Sequence, residues 1–442
     1  MTRAVPARKP GPGLSVAALA AATLALPLAG HGQESTATVV RAGVLIDGSG
    51  GPPRERVTVV IRDGRIAETR AATPADAANP DAIDLTGFHV LPGLIDVHAH
   101  LTLSHDPDLD YGTLSGPASG VLGVMHARRT LMAGFTTVRD PFGPYYADVA
   151  LRDAIAAGWV DGPRMFVSGP VITMTGGHGA LGNGAPPEHE ISSAAVSVAD
   201  GMDEIRRAVR LHQKHGVDFI KVIATGGIFT DRSDPGAASY TREEIESAVD
   251  EARKRGQRVA AHAHGLEGIR NAVLAGVHSI EHGSYLDAAT AALMAERGVF
   301  LVPDVYADEY ALTHGEAIGL DAAHLVKARQ VSRRFRESVI LARAAGVKIA
   351  FGTDAGVFPH GDNARQFALY VALGMSPSEA LQSATGTAAE LIGVSEDVGT
   401  VEAGKRADLI AVASSPLDDI RQLEAVRFVM KAGVVVRNDT RR

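Results

Sequence analysis

Four histidines, one aspartate and one lysine close five different apolar runs of this chain. His98 and His100 end PGLIDVHAH, Lys221 sits inside DFIKVIATGG, His262 lies in RVAAHAHG, His282 in SIEHG and Asp354 in KIAFGTD. Side chains alternate along a strand, so His98 and His100 share a face and can chelate one ion. Asp354 adds a carboxylate that could bind metal and serve an attacking water as general base, then general acid. His262 and His264 also share a face; one can ligate while the other orients it or meets substrate. His282, at the next strand tip, is the natural partner ligand. Lys221 is the odd member, because an ammonium repels a dication. Within an apolar run it reads equally as a lysine extending from the strand end or as half of a buried ion pair. His178 in TGGHG and Tyr240 occupy loops and are candidates for holding substrate. Tyr240 could polarise a scissile carbonyl or bind a substrate carboxylate. Arg139-Asp140, at another strand tip, reads as an internal salt bridge near the site.

Donors at the ends of separate strands meet only if those strands point one way and ring a common face, as in a parallel (β/α)8 barrel. Eight β-type segments recur, at 93–98, 135–140, 164–169, 218–223, 258–263, 278–283, 299–304 and 348–354. Ala-rich amphipathic segments lie between them, such as TREEIESAVDEARKRG, which opens with the capping-box pair Thr241 and Glu244. An open doubly wound sheet is the rival, but it would gather ligands at one crevice rather than around a ring. We therefore expect an α/β fold with a TIM-like barrel over 93–398. Its flanks, 37–92 and 399–442, are rich in short β signals and turns such as Asp63-Gly64. They resemble each other more than the middle, which predicts one small β-sandwich built from both chain ends.

Composition sets the remaining bounds. The 442 residues, 45% hydrophobic and 21% charged, describe an ordinary globular protein with room for one large domain and a small one. A net charge of −8 without a basic patch gives no footprint for nucleic acid. The absence of cysteine excludes disulfides, thiolate metal sites and a cysteine nucleophile. Residues 1–32 read as a signal peptide: Arg3, Arg8 and Lys9 precede an apolar run from Leu14 to Ala29 that is too short to span a bilayer and is broken by Pro27. The expected location is periplasmic or secreted.

Taken together, LPGLIDVHAH, GFTTVRD, FIKVIATGG, AAHAHG, SIEHG, FGTDAG, ATGTAAELIGV and GTVEAGKRADLIAV resemble the amidohydrolase superfamily. The likeness is to its binuclear branch of Xaa-Pro dipeptidases (prolidase-like enzymes) and ochratoxin-hydrolysing amidohydrolases. It implies two divalent metal ions, with zinc expected and cobalt or manganese as alternatives. His98, His100 and Asp354 would bind the more buried ion, and His262 and His282 the second. Lys221, as N6-carboxylysine, would bridge them. The resemblance selects His262 over His264 as ligand and places His264, His178 and Tyr240 along the substrate site. The implied reaction is attack by a metal-bridged hydroxide on an amide joined to a C-terminal amino acid. The substrate would be a Xaa-Pro dipeptide, an N-acyl amino acid or an ochratoxin-type aryl amide. A cyclic-amide hydrolase or deaminase, imidazolonepropionase-like, is the runner-up. The resemblance also implies a homo-oligomer, up to an octamer.

Overall fold

The computed structural model describes residues 37–104, 114–186 and 194–440; the predicted signal peptide lies outside the described residues. Barrel strands form where the sequence predicts them. Leu94–Asp96 pairs in parallel with Phe135–Asp140, which pairs with Arg164–Val167. Ile220–Ile223, Val259–Ala263, Ser279–His282 and Phe300–Val302 follow in parallel register. Strands such as Ile220–Ile223 and Ser279–His282 are buried throughout, as expected when helices cover one face and the barrel interior the other.

Two strands depart from regularity. The third ends at Val167, turns at Gly169 with φ +68°, and resumes as Ile172–Thr173, which pairs with Val222. The eighth run, around 348–355, holds only the isolated parallel bridges Leu301↔Ile349 and Ala99↔Ala355. It still closes the ring: Val97 N–H donates to Phe351 O, and the N–H groups of Thr353 and Asp354 donate to His98 O. Gly352 permits this approach, since a Cβ there would lie 2.3 Å from the Val302 side chain and 2.7 Å from His98 Cβ. The predicted capping box of the helix Arg242–Arg253 is formed by Thr241 and Glu244.

Both chain ends build one seven-stranded sheet. Its order is Val434–Asn438, Phe428–Lys431, Leu409–Val412, Ile83–Pro92, Thr38–Leu45, Arg54–Arg62, Arg65–Ala71. The Asp63-Gly64 turn has φ of 51° and 74°, and Ala432-Gly433 has 47° and 80°, the sign pattern of tight hairpins that match strand twist. The sheet folds over its own apolar face. Ile66 N–H donates to Lys405 O and Gly404 N–H to Ile66 O, while Val40, Val59, Leu85, Leu409 and Phe428 share one core.

Candidate functional site

Successive barrel strands end in donors that face one another. His98, His100 and Asp354 form one group whose ligand atoms lie within 4.8 Å of each other; His262, His264 and His282 form a second. The groups adjoin: the His98 and His282 rings are 5.2 Å apart, and His282 also shares a donor group with Asp304 and Asp354. His282 and Asp354 both carry positive φ, 70° and 58°. A non-glycine residue held there costs energy, and such strain concentrates at functional sites.

Carboxylates behind the rings fix their orientation. His98 Nδ1 meets Glu281 Oε2 at 2.9 Å, and His282 Nδ1 meets Asp304 Oδ1 at 2.9 Å. His100 Nδ1 faces Asp140 Oδ1 at 3.6 Å, and its Nε2 lies 2.9 Å from Asp354 Oδ1. A carboxylate on Nδ1 leaves Nε2 as the ligand atom, the usual arrangement behind a metal-bound histidine. Glu281 is itself held by Arg139, whose Nη2 reaches both carboxylate oxygens at 2.7 Å, and by Ser279. The expected Arg139–Asp140 salt bridge is therefore corrected. Neighbours on a strand point to opposite faces, so Arg139 serves Glu281 while Asp140 serves His100 and accepts from the Leu101 and Phe142 N–H groups.

Burial shapes the electrostatics. It lowers His98 to about 3, with Lys221 adding to the effect, and lowers His178 to about 3. Burial also drives His262 and His264 well below the ordinary range, so these rings stay neutral and offer lone pairs. His100 goes the other way, to about 9: burial opposes protonation, but Asp140 and Asp354 outweigh it. Burial brings the Lys221 amine down to about 8. No salt bridge closes on this buried amine among the described residues, and a neutral amine is the form that can take up carbon dioxide. The neutral imidazoles of His98, His262 and His264, an ionised carboxylate and a lysine suited to becoming an anion make a donor set that fits divalent metal, and a bound cation would displace the proton that Asp140 and Asp354 favour on His100.

The two donor groups, Lys221 and Asp304 line one cavity of about 320 Å³, with Asp140, Glu281 and Arg139 behind them. His178 lines it too, its Nδ1 2.7 Å from Thr230 Oγ1 and its ring 4.4 Å from that of His262. His264 lines it with Nδ1 2.7 Å from Ser284 Oγ, stacked 4.7 Å from His282. His262 Nε2 lies 3.1 Å from Gly226 O, which directs Nδ1 to ligation. Tyr240 is placed elsewhere. It is buried in the barrel core and off the cavity, its hydroxyl donating to Ala199 O at 2.8 Å. Sequence reasoning missed Asp304 and the role of Glu281. A carboxylate beside a strand-tip histidine was the available signal for Glu281; Asp304 reaches His282 from the next strand end.

The amidohydrolase family profile matches residues 89–436. An ochratoxinase from Aspergillus niger is 34% identical over 429 residues, covering 90% of this chain and 86% of that protein. A solved Xaa-Pro dipeptidase with methionine bound in its active site is 36% identical, with a TM-score of 0.86 over 91% of this chain and 100% of the other. A prolidase solved with N-methylphosphonate-L-proline is 32% identical, with a TM-score of 0.83 over 91% and 100%.

Proposed function

The chain belongs to the amidohydrolase family, and from that premise we propose that it cleaves an amide bond to a C-terminal amino acid. The substrate would be a Xaa-Pro dipeptide, an N-acyl amino acid or an ochratoxin-type aryl amide. One observation carries this reading: two buried donor groups from strand tips adjoin in a cavity that also holds Lys221. His98, His100 and Asp354 would hold one divalent ion, His262 and His282 the other, with Lys221 as N6-carboxylysine between them and zinc as the expected metal. Bound there, such ions make water a nucleophile near neutral pH and polarise a carbonyl.

The chain's own residues do the rest. Burial disfavours the charged form of Asp354, but the hydrogen bond from His100 keeps it ionised. It can thus accept the proton of the attacking water and return it to the departing amine. His178 and His264, which line the cavity, would hold substrate. Glu281 and Asp304 keep the imidazoles aimed. The wider proposal includes export to the periplasm or medium and a homo-oligomer. A cyclic-amide hydrolase or deaminase fits less well, because both solved relatives named above carry amino-acid-derived ligands.

Metal analysis of purified protein, paired with a panel of Xaa-Pro dipeptides and N-acyl amino acids, tests this reading. Two metal ions per chain and release of a free C-terminal amino acid are expected. One ion per chain with ammonia released from a cyclic amidine or aminopurine would overturn it in favour of the deaminase.

A further inference from the structure

Away from the donor groups the cavity is apolar. Ala307 and Ala311 on the helix Val305–His314, Val331 and Phe335 on the helix Ala322–Ala344, and Ile318 and Leu320 between them wall this arm. One carboxylate interrupts the wall. Asp308 lines the cavity from the same helix as Ala307 and Ala311, is 7% exposed, and leaves Oδ1 with no hydrogen-bond partner among the described residues. Burial pushes this carboxyl up to about 7, opposed by the Ser332 hydroxyl on the facing helix. Arg336, one turn further along, is committed to Glu309 at 3.0 Å. A buried acceptor without a donor is costly, and a ligand that brings the donor recovers that cost on binding.

The missing donor has a definable chemistry. Among the described residues, Asp308 belongs to none of the groups of His, Asp and Glu close enough to share an ion, which favours an organic cation over a third metal. Among the described residues lining the cavity, Lys221 is the only lysine or arginine. An apolar wall interrupted by a carboxylate suits a methylene stem with a charged head.

We propose that Asp308 is a specificity residue that receives an ammonium group on the substrate side chain in the apolar arm. The protein then prefers amide substrates with a lysine-like side chain over their apolar isosteres. This rests on the amidase reading of the site.

The test uses the full-length, metal-loaded protein and two matched pairs, Ala-Lys against Ala-norleucine and Lys-Ala against norleucine-Ala. In at least one pair, kcat/KM for the lysine member should exceed its partner by about tenfold or more. Asp308→Asn should bring that ratio close to unity through the lysine member, leaving the norleucine member within about threefold of wild type. A ratio near unity in both wild-type pairs, or a preference that survives Asp308→Asn, overturns the proposal while the amidase reading stands. No hydrolysis of these peptides or of the Xaa-Pro and N-acyl panel removes both. If the variant does not fold, inhibition of wild-type Xaa-Pro turnover by free lysine and free norleucine reads the same preference; equal inhibition overturns it.

Discussion

At the scale of single residues, the centre depends on side chains that touch no substrate. Glu281 stands between buried Arg139 and His98, accepting from the first and orienting the second. Glu281→Gln strands a buried guanidinium without its counter-charge, which costs about 3–5 kcal/mol, and weakens the hold on the imidazole. Urea unfolding of the metal-free protein should show that loss, and competition with a chelator should show metal affinity down by about 10–100-fold. Unchanged values in both would mean that Arg139 and His98 find other partners and that the chain of contacts is incidental. Lys221 supports a different prediction. If its amine carries a carbamate, Lys221→Ala removes an anion and leaves space for one. The variant should lose metal and turnover, and acetate or propionate should restore part of both. Native mass spectrometry of the wild type should show the increment of one carbon dioxide, lost on acidification. An unmodified wild-type lysine with full metal content would sink the carbamate.

At the scale of elements, register decides which residues meet. Gly352 lets the eighth run lie against the first strand; Gly352→Ala would press a methyl group onto Val302 and His98. Overpacking of this kind costs about 1–3 kcal/mol. Because His98 is one of the two residues in the way, metal affinity should fall together with the thermal midpoint. A fall in midpoint alone would show that Val302 yields and His98 does not. The strand ends bearing His98, His100, His262, His282 and Asp354 were legible in the sequence, because these donors close apolar runs and the barrel makes such ends converge; Lys221 lies inside its strand Ile220–Ile223, and the family resemblance singled it out. What was not legible depends on contacts between runs. Arg139 and Asp140 look like a pair in one dimension but point to opposite faces, so their true partners lie on other strands. Tyr240 precedes a helix near the site in sequence, yet its hydroxyl is directed to Ala199. Asp304 looked like the end of a strand, and Asp308 fell in a helix that the strand pattern does not mark. The positive φ of His282 and Asp354 has no glycine or turn signature to announce it.

At the scale of the molecule, the centre draws on strands spread from His98 to Asp354, so metal binding there is a property of the closed barrel. The unfolded chain has no such site, and an ion bound to the folded form alone stabilises it by about 4 kcal/mol at a thousand times its dissociation constant. Chelation should therefore lower the thermal midpoint by several degrees as well as abolish turnover, and re-addition of zinc should restore both. A separate group, Asp231, Asp321 and His324, offers a control, since its two aspartates are exposed at the surface. An ion held there would tie only the loop carrying Asp231 to the start of the helix Ala322–Ala344. Asp321→Asn should leave the chelation-dependent shift unchanged, whereas His282→Asn should remove most of it. If the two variants behave the other way round, the stabilising ion sits on the surface and the barrel donors do not bind it tightly. The paired measurement separates a metal that closes the fold from one that only decorates it.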